Sequence, residues 1–319
     1  MEYIIFLLAL ALIIKASDIF LDNSISLSKI LKVPEVVIGA TVVAIGTTLP
    51  EVMVSSTSAV LGHSDISYGN ALGSIICNTA LICSISLLYK SVKVNIKELK
   101  FPAIFFVIAT IILCISVYVF RYFHRFIGII LVILSAIYFY LSSKFANTAN
   151  VEELNQSNDN EDSIPKILLY LFISSLFIGI SARLMTDNSI LIARNLGMSE
   201  ADIGLTIVAF GTSLPELMTA IQSIIKGHSN LSLGNILGAN LINLLLVIGI
   251  PSIIKPYALP QNGTIMNINA SMLIDIPLMI IVMTLLLIPI FINKKTSRWQ
   301  GAILICIYFV YMYFLYKFQ

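Results

Sequence analysis

An internal repeat constrains the fold of this chain more than any other feature. Residues 38–83 align on residues 203–248 without a gap, at a constant offset of 165 positions, and 22 of the 46 aligned positions are identical. The most distinctive shared pattern is Gly-Thr-[Thr/Ser]-Leu-Pro-Glu, which ends at Glu51 in the first copy and at Glu216 in the second. Identity at this level indicates two related halves that fold alike.

The composition places both halves in a membrane. Of the 319 residues, 58% are hydrophobic and 11% are charged, and the mean hydropathy is +0.96, whereas a soluble domain carries about 25% charged residues. The apolar residues fall in blocks of about 20 or more, long enough to cross a bilayer core of about 30 Å. We therefore predict an all-α, polytopic membrane protein with ten transmembrane helices. The predicted spans lie near residues 3–31, 34–61, 68–89, 101–120, 124–144, 165–195, 199–225, 231–254, 269–293 and 299–317.

Equivalent points of the repeat are five spans apart, so the two halves cross the membrane in opposite directions. Two inverted five-helix repeats are typical of secondary transporters, in which the substrate site lies near the midplane where the repeats meet. We expect an N-terminal repeat over residues 1–145 and a C-terminal repeat over residues 165–319. The polar, acidic stretch between them, residues 146–164, contains no Gly for an EF-hand loop, and we interpret it as a flexible cytoplasmic linker.

The charges in the loops predict the orientation. With the N-terminus outside, twelve Lys and Arg residues fall on the inner side and five on the outer side, as the positive-inside rule requires. We expect a multi-pass protein of the cell membrane with both termini outside. The N-terminus has no basic region, so we interpret it as the first spanning helix rather than a removed signal. The net charge of +2 does not indicate a nucleic-acid partner, and we expect a monomer in the lipid bilayer.

The shared pattern puts a proline in the middle of the second and the seventh span. Pro50 and Pro215 each remove a backbone donor and clash with the preceding turn. We therefore expect both helices to break there and to free the carbonyl groups of Gly46 and Gly211. In hydrocarbon, such groups are tolerated only where they line a cavity or bind a ligand.

Each expected break also carries an acid. Thr48 stands three residues before Glu51, and Ser213 stands three residues before Glu216, as in a helix-capping pattern. Carbonyls, hydroxyls and carboxylates at one depth form an oxygen-only ligand set, which suits hard cations such as Ca2+ or Na+. A simple proline kink does not explain a Glu after the Pro in both halves. Because an ionised carboxylate at mid-bilayer is costly unless it is paired or coordinated, we predict a cation between Glu51 and Glu216.

Spans three and eight contribute further polar residues. Asn70, Ser74 and Asn78 fall at i, i+4 and i+8 and share a helix face. Their counterparts in span eight are Asn235, Ala239 and Asn243. Asn78 and Asn243 are amides in otherwise apolar helices, and we predict that they belong to the site, whereas Asn70 and Asn235 fit either the site or helix packing. Glycines of the same spans are expected to allow close packing of helices: Gly69, Gly73, Gly234 and Gly238.

The two copies of the repeat resemble the α-repeats of the sodium/calcium exchanger family, within the cation/Ca2+ exchanger superfamily. The resemblance covers the whole chain in span count, linker position and topology. It is most specific in Gly-Thr-[Ser/Thr]-Leu-Pro-Glu and Gly-Asn-x-x-Gly-[Ser/Ala]. It implies a prokaryotic-type exchanger without a large regulatory loop, with adjacent cation sites at the centre of spans two, three, seven and eight. It also implies alternating access, in which spans one and six slide across this core.

By position, the resemblance implies separate ligand sets for Ca2+ and for Na+. The set implied for Ca2+ is Glu51, Glu216 and the backbone carbonyls of Thr47 and Thr212. One flanking Na+ set is the carbonyl of Ala44 with Thr47, Thr48 and Ser74. The other is the carbonyl of Ala209 with Thr212 and Ser213. Asn78 and Asn243 are implied to line the middle of the site.

Two positions depart from the family pattern. Asn243 stands where many archaeal and K+-dependent relatives carry Asp, and K+-independent exchangers carry Asn there. A carboxylate is therefore missing from the centre, which argues against K+ co-transport. Ala239 stands where the family usually has Ser, so one Na+ site loses a hydroxyl oxygen. The second departure weakens the case for Na+ coupling.

These observations favour a secondary active antiporter that exchanges Ca2+ for Na+ without K+, has no cofactor other than its transported ions, and is not an enzyme. The alternative is an H+/Ca2+ antiporter in which Glu51 and Glu216 take up protons when Ca2+ leaves, because a carboxyl group removed from water favours its neutral form. An intramembrane hydrolase would use the two acids as general acid and base, but the sequence has no nucleophile elbow and no zinc-binding His pair. A passive cation channel would require no counter-ion.

Overall fold

In a computed structural model, the chain is almost entirely helical over the residues that the structure describes. These residues are 1–62, 64–148, 163–196, 209–259, 264–265, 268–269 and 271–318. Most of the predicted linker and the first part of the predicted span 199–225 lie outside them, as does His63. The division of the chain into two halves joined by a linker therefore stays a prediction.

Ten helices, α1 to α10, follow one another along the described residues, and several contain a π-helical stretch. The first five are α1 (Glu2–Leu31), α2 (Glu35–Ile38, Gly39–Val43 and Ala44–Leu61), α3 (Ser64–Ile76, Cys77–Cys83 and Ser84–Tyr89), α4 (Ile96–Cys114 and Ile115–Phe120) and α5 (Arg125–Thr148). The others are α6 (Ile164–Asn195), α7 (Leu214–Ile225, after a helical turn at Ala209–Gly211), α8 (Ser229–Ile242, Asn243–Val247 and Gly249–Ile254), α9 (Ser271–Asp275 and Ile276–Asn293) and α10 (Arg298–Phe318).

Nine of the described helices are long and apolar enough to cross a membrane. The remaining one, α7, is a shorter apolar helix and is the described end of the predicted span 199–225. At about 1.5 Å per residue, the 30 residues of α1 exceed the thickness of a bilayer core, so α1 must tilt or extend beyond it.

Short backbone pairings between loops show which helix ends lie on the same side. Strand β1 (Tyr122–Phe123), after α4, pairs antiparallel with β2 (Tyr257–Ala258), after α8. Lys93, after α3, pairs with Lys295, after α9. A small hairpin, β3 (Thr264–Ile265) with β4 (Ile268–Asn269), follows β2. Two loops can pair only if they lie on the same side of the membrane, so an even number of helices must cross the membrane between them. Four helices lie between the first pair of loops and six between the second, as expected for ten spans that alternate in direction. Helices α1 and α6 then begin on opposite sides, as an inverted repeat requires.

The core of the molecule is built from α2, α3, α7 and α8. The buried share of the membrane-spanning window is 83% in α8, 78% in α3 and 56% in α2, but only 33% in α1 and in α6. Helix α1 packs along α6 and against α7, so the two long helices form a pair at the side of the core. This arrangement leaves the central helices enclosed by protein and the outer ones facing lipid.

Two glycines of α8 allow its backbone to touch that of α2. A Cβ atom on Gly234 would lie 2.3 Å from the carbonyl oxygen of Val36, and one on Gly238 would lie 2.5 Å from that of Ala40. The packing role predicted for these two glycines is therefore confirmed. For Gly69 and Gly73 it stays a prediction, because the positions that the repeat would place against them, 201 and 205, lie outside the described residues.

We expect Gly238→Ala to destabilise the protein by about 1–3 kcal/mol, since the added methyl group forces two packed backbones apart. The measurement is the midpoint of thermal unfolding in detergent, followed by circular dichroism. Val310→Ile is the control, because it also adds one carbon but on an exposed face of α10. Equal unfolding midpoints for Gly238→Ala and the wild type would contradict the close contact of α2 with α8.

Candidate ion-binding site

The two predicted acids meet at the centre of the core. Glu51 on α2 is 1% exposed and Glu216 on α7 is fully buried, and their carboxyl groups interact with each other. Thr48 Oγ1 donates a hydrogen bond to Glu216 Oε1 at 3.1 Å. Within the described part of the chain, neither oxygen of Glu51 and only one oxygen of Glu216 has a hydrogen-bond partner. Two acidic side chains that meet in the core with three of their four oxygens unpartnered among the described residues can attract a cation.

The two helices that carry these acids differ around the proline. In the second half, the chain leaves the helix at Thr212 and Ser213, and α7 restarts at Leu214 with Pro215 in its first turn. In the first half, α2 continues through Pro50 without interruption. The predicted break is therefore correct for α7 and wrong for α2. A proline removes one backbone donor, and a helix packed against neighbours can lose that bond and keep its course.

The capping pattern predicts the start of a new helix correctly at Ser213 and wrongly at Thr48. Ser213 occupies the N-cap position of α7, but its side chain makes no capping hydrogen bond. Thr48 lies inside α2, where its hydroxyl donates to Glu216 instead. Both hydroxyls are fully buried and lie beside the site: Thr48 contacts Glu216, and Ser213 contacts the thiol of Cys77.

The two amides predicted for the site are fully buried, and neither has a hydrogen-bond partner in the described residues. This holds for both polar atoms of Asn78 and of Asn243, and also for Oγ of Ser74. An unsatisfied buried polar group costs about 1–3 kcal/mol, so these groups are retained against their effect on stability. Cys77, which precedes Asn78, interacts with both Glu51 and Glu216, so this turn of α3 lies beside the carboxyl pair.

Both amides lie in π-helical stretches. Asn78 belongs to Cys77–Cys83 of α3, and Asn243 begins the stretch Asn243–Val247 of α8. Single π-helical turns within α-helices occur frequently at functional sites because they reorient side chains and free backbone groups. The sequence analysis missed these turns, since the apolar pattern of the two spans continues through them without a change.

The sequence did not decide whether Asn70 and Asn235 belong to the site or to helix packing, and the structure gives them different hydrogen-bond partners. Thr47 Oγ1 donates to Asn235 Oδ1 at 3.2 Å and also lies 3.4 Å from the carbonyl oxygen of Ala44. Asn235 is therefore beside a predicted ligand. Asn70 Nδ2 donates to Ser55 Oγ at 3.0 Å and to the carbonyl oxygen of Glu51 at 3.4 Å. Asn70 thus ties α3 to α2 just behind the acid.

One buried pair behind the site was not singled out from the sequence. Asn240 Nδ2 donates to Thr79 Oγ1 at 2.7 Å and connects α8 to α3. Asn240 is fully buried. The signal that identified Asn243, a buried amide in an apolar helix, applies equally to Asn240. The comparison of the two halves did not reveal this pair, because Asn240 corresponds to the apolar Ile75 and Thr79 corresponds to the apolar Leu244.

The remaining predicted residues lie on the same elements. Ala44 and Thr47 precede the acid on α2, Ala209 begins the helical turn before α7, and Thr212 lies at the interruption. Nothing is described for the side chain of Ala209, whose predicted role uses only its carbonyl group. No described Lys, Arg or His side chain forms an ion pair with either acid. The site is thus a set of oxygen ligands with two acids, which fits Ca2+ or Na+ as a substrate.

A cavity of about 620 Å³ connects the site to one side of the molecule. It lies between α2, α6 and α7 and extends from Glu51 and Gly211 to Arg183 and Asp187. The side chains of Arg183 and Asp187 are 85% and 59% exposed, so the cavity opens at that end. We call this side the Arg183 face, and the opposite side, where α1 and α7 end, the Lys226 face.

Inverted helical halves around two buried acids define a secondary active transporter of the ion-exchanger class. The family model for the sodium/calcium exchanger protein matches residues 1–144 and 166–317. This chain belongs to the sodium/calcium exchanger family.

Relatives and solved structures agree with this assignment. The membrane protein MJ0091 of Methanocaldococcus jannaschii is 32% identical over 96% of this chain and 95% of its own. The sodium/calcium exchanger MaX1 of Methanosarcina acetivorans is 30% identical over 99% of this chain and 98% of its own. The solved structure of the sodium-calcium exchanger NCX_Mj has a TM-score of 0.81 and 29% identity and covers 97% of both chains. The predicted all-α fold with inverted repeats and the class of transporter rather than enzyme are confirmed.

We expect Ca2+ to raise the unfolding temperature of the wild-type protein and to have no such effect on Glu51→Gln, because the variant removes one of the two charges that hold the ion. A ligand at about 100 times its Kd stabilises a protein by about 2.7 kcal/mol. The measurement is thermal unfolding by circular dichroism, with and without Ca2+. Glu98→Gln is the control, since Glu98 lies on α4 outside the site and pairs with Asn95. A rise of equal size in Glu51→Gln would contradict the site.

Proposed function

We propose that this protein is a secondary active antiporter that exchanges Ca2+ for Na+ across the cell membrane by alternating access, without K+. The observation that carries the proposal is the buried carboxyl pair of Glu51 and Glu216, three of whose four oxygens have no hydrogen-bond partner among the described residues. The names of the sodium/calcium exchangers MaX1 and NCX_Mj support the same pair of ions. Na+ and Ca2+ are the ions that this family transports.

The proposed ligand sets follow the positions of the shared pattern. Ca2+ would be held by Glu51, Glu216 and the backbone carbonyls of Thr47 and Thr212. Na+ would be held on one side by the carbonyl of Ala44 with Thr47, Thr48 and Ser74. On the other side it would be held by the carbonyl of Ala209 with Thr212 and Ser213. Asn78 and Asn243 would supply neutral oxygens between the acids.

The coupling of the two fluxes rests on charge. With both acids ionised and no cation present, two like charges face each other in a low-dielectric core, and this state is strongly disfavoured. One Ca2+ cancels both charges, and so do two Na+ ions at the same carboxyl pair. The carrier therefore changes its open side only when loaded, which makes each release of Ca2+ depend on uptake of the counter-ion.

Alternating access follows from the inverted repeat. The cavity makes the site accessible from the Arg183 face, where α2 and α6 end. If the two halves exchange conformations, the same site becomes accessible from the Lys226 face, as in other transporters with inverted repeats. The pair α1 and α6 would slide across α2, α3, α7 and α8. With both termini outside, the Arg183 face is the extracellular one.

One residue favours a second candidate, H+/Ca2+ antiport. Ala239 on α8 is fully buried and offers no side-chain oxygen, whereas its counterpart on α3 is Ser74. A Na+ site that includes this position has one ligand fewer. A proton on Glu216 would neutralise the acid without that ligand, because a neutral carboxyl group needs no further coordination.

We expect an outward Na+ gradient to drive uptake of radioactive Ca2+ into proteoliposomes, with no additional effect of K+. Glu51→Gln and Glu216→Gln should each abolish this uptake, because one remaining carboxylate cannot balance a divalent cation in a buried site. Glu98→Gln is expected to transport like the wild type. Uptake driven by a pH gradient alone would support H+/Ca2+ antiport instead, and uptake that persists in both site variants would refute the assignment of these acids.

We expect Ala239→Ser to increase the apparent affinity for Na+ by about two- to tenfold, since a hydroxyl ligand contributes about 0.5–1.5 kcal/mol. The measurement is the Na+ concentration that gives half-maximal Ca2+ exchange. Ser74→Ala is the matched variant at the equivalent position of the other half, and it should decrease the affinity for Na+. If neither substitution changes the Na+ dependence while both proteins transport Ca2+, the flanking Na+ sites are wrongly placed.

A further inference from the structure

A cluster of three charged side chains joins α1 to the end of α7. Lys226, which follows α7, places its Nζ 2.5 Å from Asp18 Oδ1 and 2.6 Å from Asp22 Oδ1. The two aspartates lie one turn apart on α1 and present their carboxyl groups to the same ammonium group. The side chain of Lys226 is only 25% exposed. We call these three residues the Lys226 cluster.

The Lys226 cluster links two parts that are proposed to move relative to each other. Helix α1 belongs to the pair of long helices at the side of the core, whereas α7 belongs to the core and carries Glu216. Lys15 also approaches Asp18, at 3.6 Å, but it lies on α1 itself and connects nothing to the core. Only Lys226 makes the cluster a link between the two parts.

The repeat shows that the other half lacks this link. At the offset of 165, Asp22 corresponds to Asp187, but Asp18 corresponds to Arg183 and Lys226 corresponds to Leu61. Arg183 pairs with Asp187 on its own helix, at 3.7 Å. Leu61 is 69% exposed, and its apolar side chain cannot form an ion pair. The inverted symmetry of the fold is therefore broken at the positions that hold α1 against α7.

The face of the molecule that is open to the site is the one that lacks the ion pairs of the Lys226 cluster. On the Arg183 face, where the link is missing, Ser58 lines the cavity together with Arg183 and Asp187. On the Lys226 face, the equivalent of Ser58 is Ser223, which is 2% exposed. The face that carries the ion pairs is closed, and the face without them is open.

We infer that the Lys226 cluster is a one-sided latch that favours the conformation open at the Arg183 face. This inference rests on the proposed alternating access. When the Lys226 face opens, α1 must move away from α7 and both ion pairs must separate. The reverse movement at the Arg183 face breaks no equivalent pair, so the two conformations differ in free energy even though the fold is an inverted repeat.

The exposure of the ion pairs in the Lys226 cluster limits how strongly they favour one conformation over the other. Partly exposed ion pairs contribute modestly, and loss of this cluster is expected to shift the ratio of the two conformations by about three- to tenfold. A shift of this size leaves transport possible in both directions. It changes which face binds ions more readily, because the apparent affinity at each face scales with the fraction of carrier open there.

The test uses Lys226→Leu, which gives the second half the residue that the first half has at Leu61. Ser223→Cys and Ser58→Cys serve as reporters of the two faces, each in a full-length protein whose four native cysteines are replaced. Labelling by a water-soluble maleimide is measured in detergent with Na+ present, because the proposed carrier changes its open side only when loaded. We expect Lys226→Leu to increase labelling of the Ser223→Cys reporter and to decrease labelling of the Ser58→Cys reporter, so that the ratio of the two labelling rates changes by about three- to tenfold.

Three further variants separate the latch from local loosening. Lys15→Leu removes a lysine next to Asp18 without breaking the link to α7, and it should leave both labelling rates unchanged. Lys226→Asp should act like Lys226→Leu, and Lys226→Asp combined with Asp22→Lys should restore wild-type labelling by re-forming a pair of opposite charges. This rescue also shows that the altered protein folds.

The labelling test and the transport test fail separately. If labelling of the Ser58→Cys reporter rises together with that of the Ser223→Cys reporter, Lys226→Leu only loosens the protein and the latch is refuted. Unchanged labelling of both reporters in Lys226→Leu refutes it as well. Absence of Ca2+ exchange in the wild type would refute the proposed function, a result that the labelling rates neither require nor produce.

Discussion

Two like charges placed face to face in a medium that cannot solvate them are the constraint on which this structure depends. Glu51 and Glu216 are buried at the centre of the core, with Thr48 as the one described donor to a carboxyl oxygen. In water such a pair would separate, but here each acid is fixed by its own helix. The enclosing helices and the interruption before α7 surround this pair, whose negative charges are stable in the core only when a cation or a proton balances them.

The parts of this arrangement that repeat in the sequence were predictable, and the parts that depend on packing were not. The offset of 165 and the apolar blocks predict the helices, and the Glu after each Pro predicts that the acids meet. The same pattern failed at Pro50, because whether a helix breaks at a proline depends on what packs around it. The π-helical turns at Asn78 and Asn243 also escaped prediction, since an additional residue in one turn leaves no mark in the hydrophobic pattern.

Differences between the halves carry information that the symmetry itself does not. Helix α2 is continuous where α7 is interrupted. In the alignment of the two halves, Ser74 corresponds to Ala239, and Lys226 corresponds to Leu61. An inverted repeat with identical halves would give two conformations of equal free energy. Under the proposed alternating access, each departure would change that balance, either through the affinity for an ion or through contacts that exist in one conformation only. The departures would then affect the apparent affinity at each face and the rate, whereas the ion gradients set the direction of transport.

The two amides proposed for the centre of the site affect its net charge and therefore which ions can balance it. In the proposed site, Asn78 and Asn243 would bring oxygen atoms to the acids without adding charge, so the total would stay at two negative charges. That total would be balanced by one divalent ion or by two monovalent ions at the same carboxyl pair, and in either case the proposed sliding of α1 and α6 would pass over a neutral site. An Asp at position 243 would leave a net charge with one Ca2+ and would require an additional monovalent ion. The neutral side chain at this position is therefore the physical reason to expect exchange without K+.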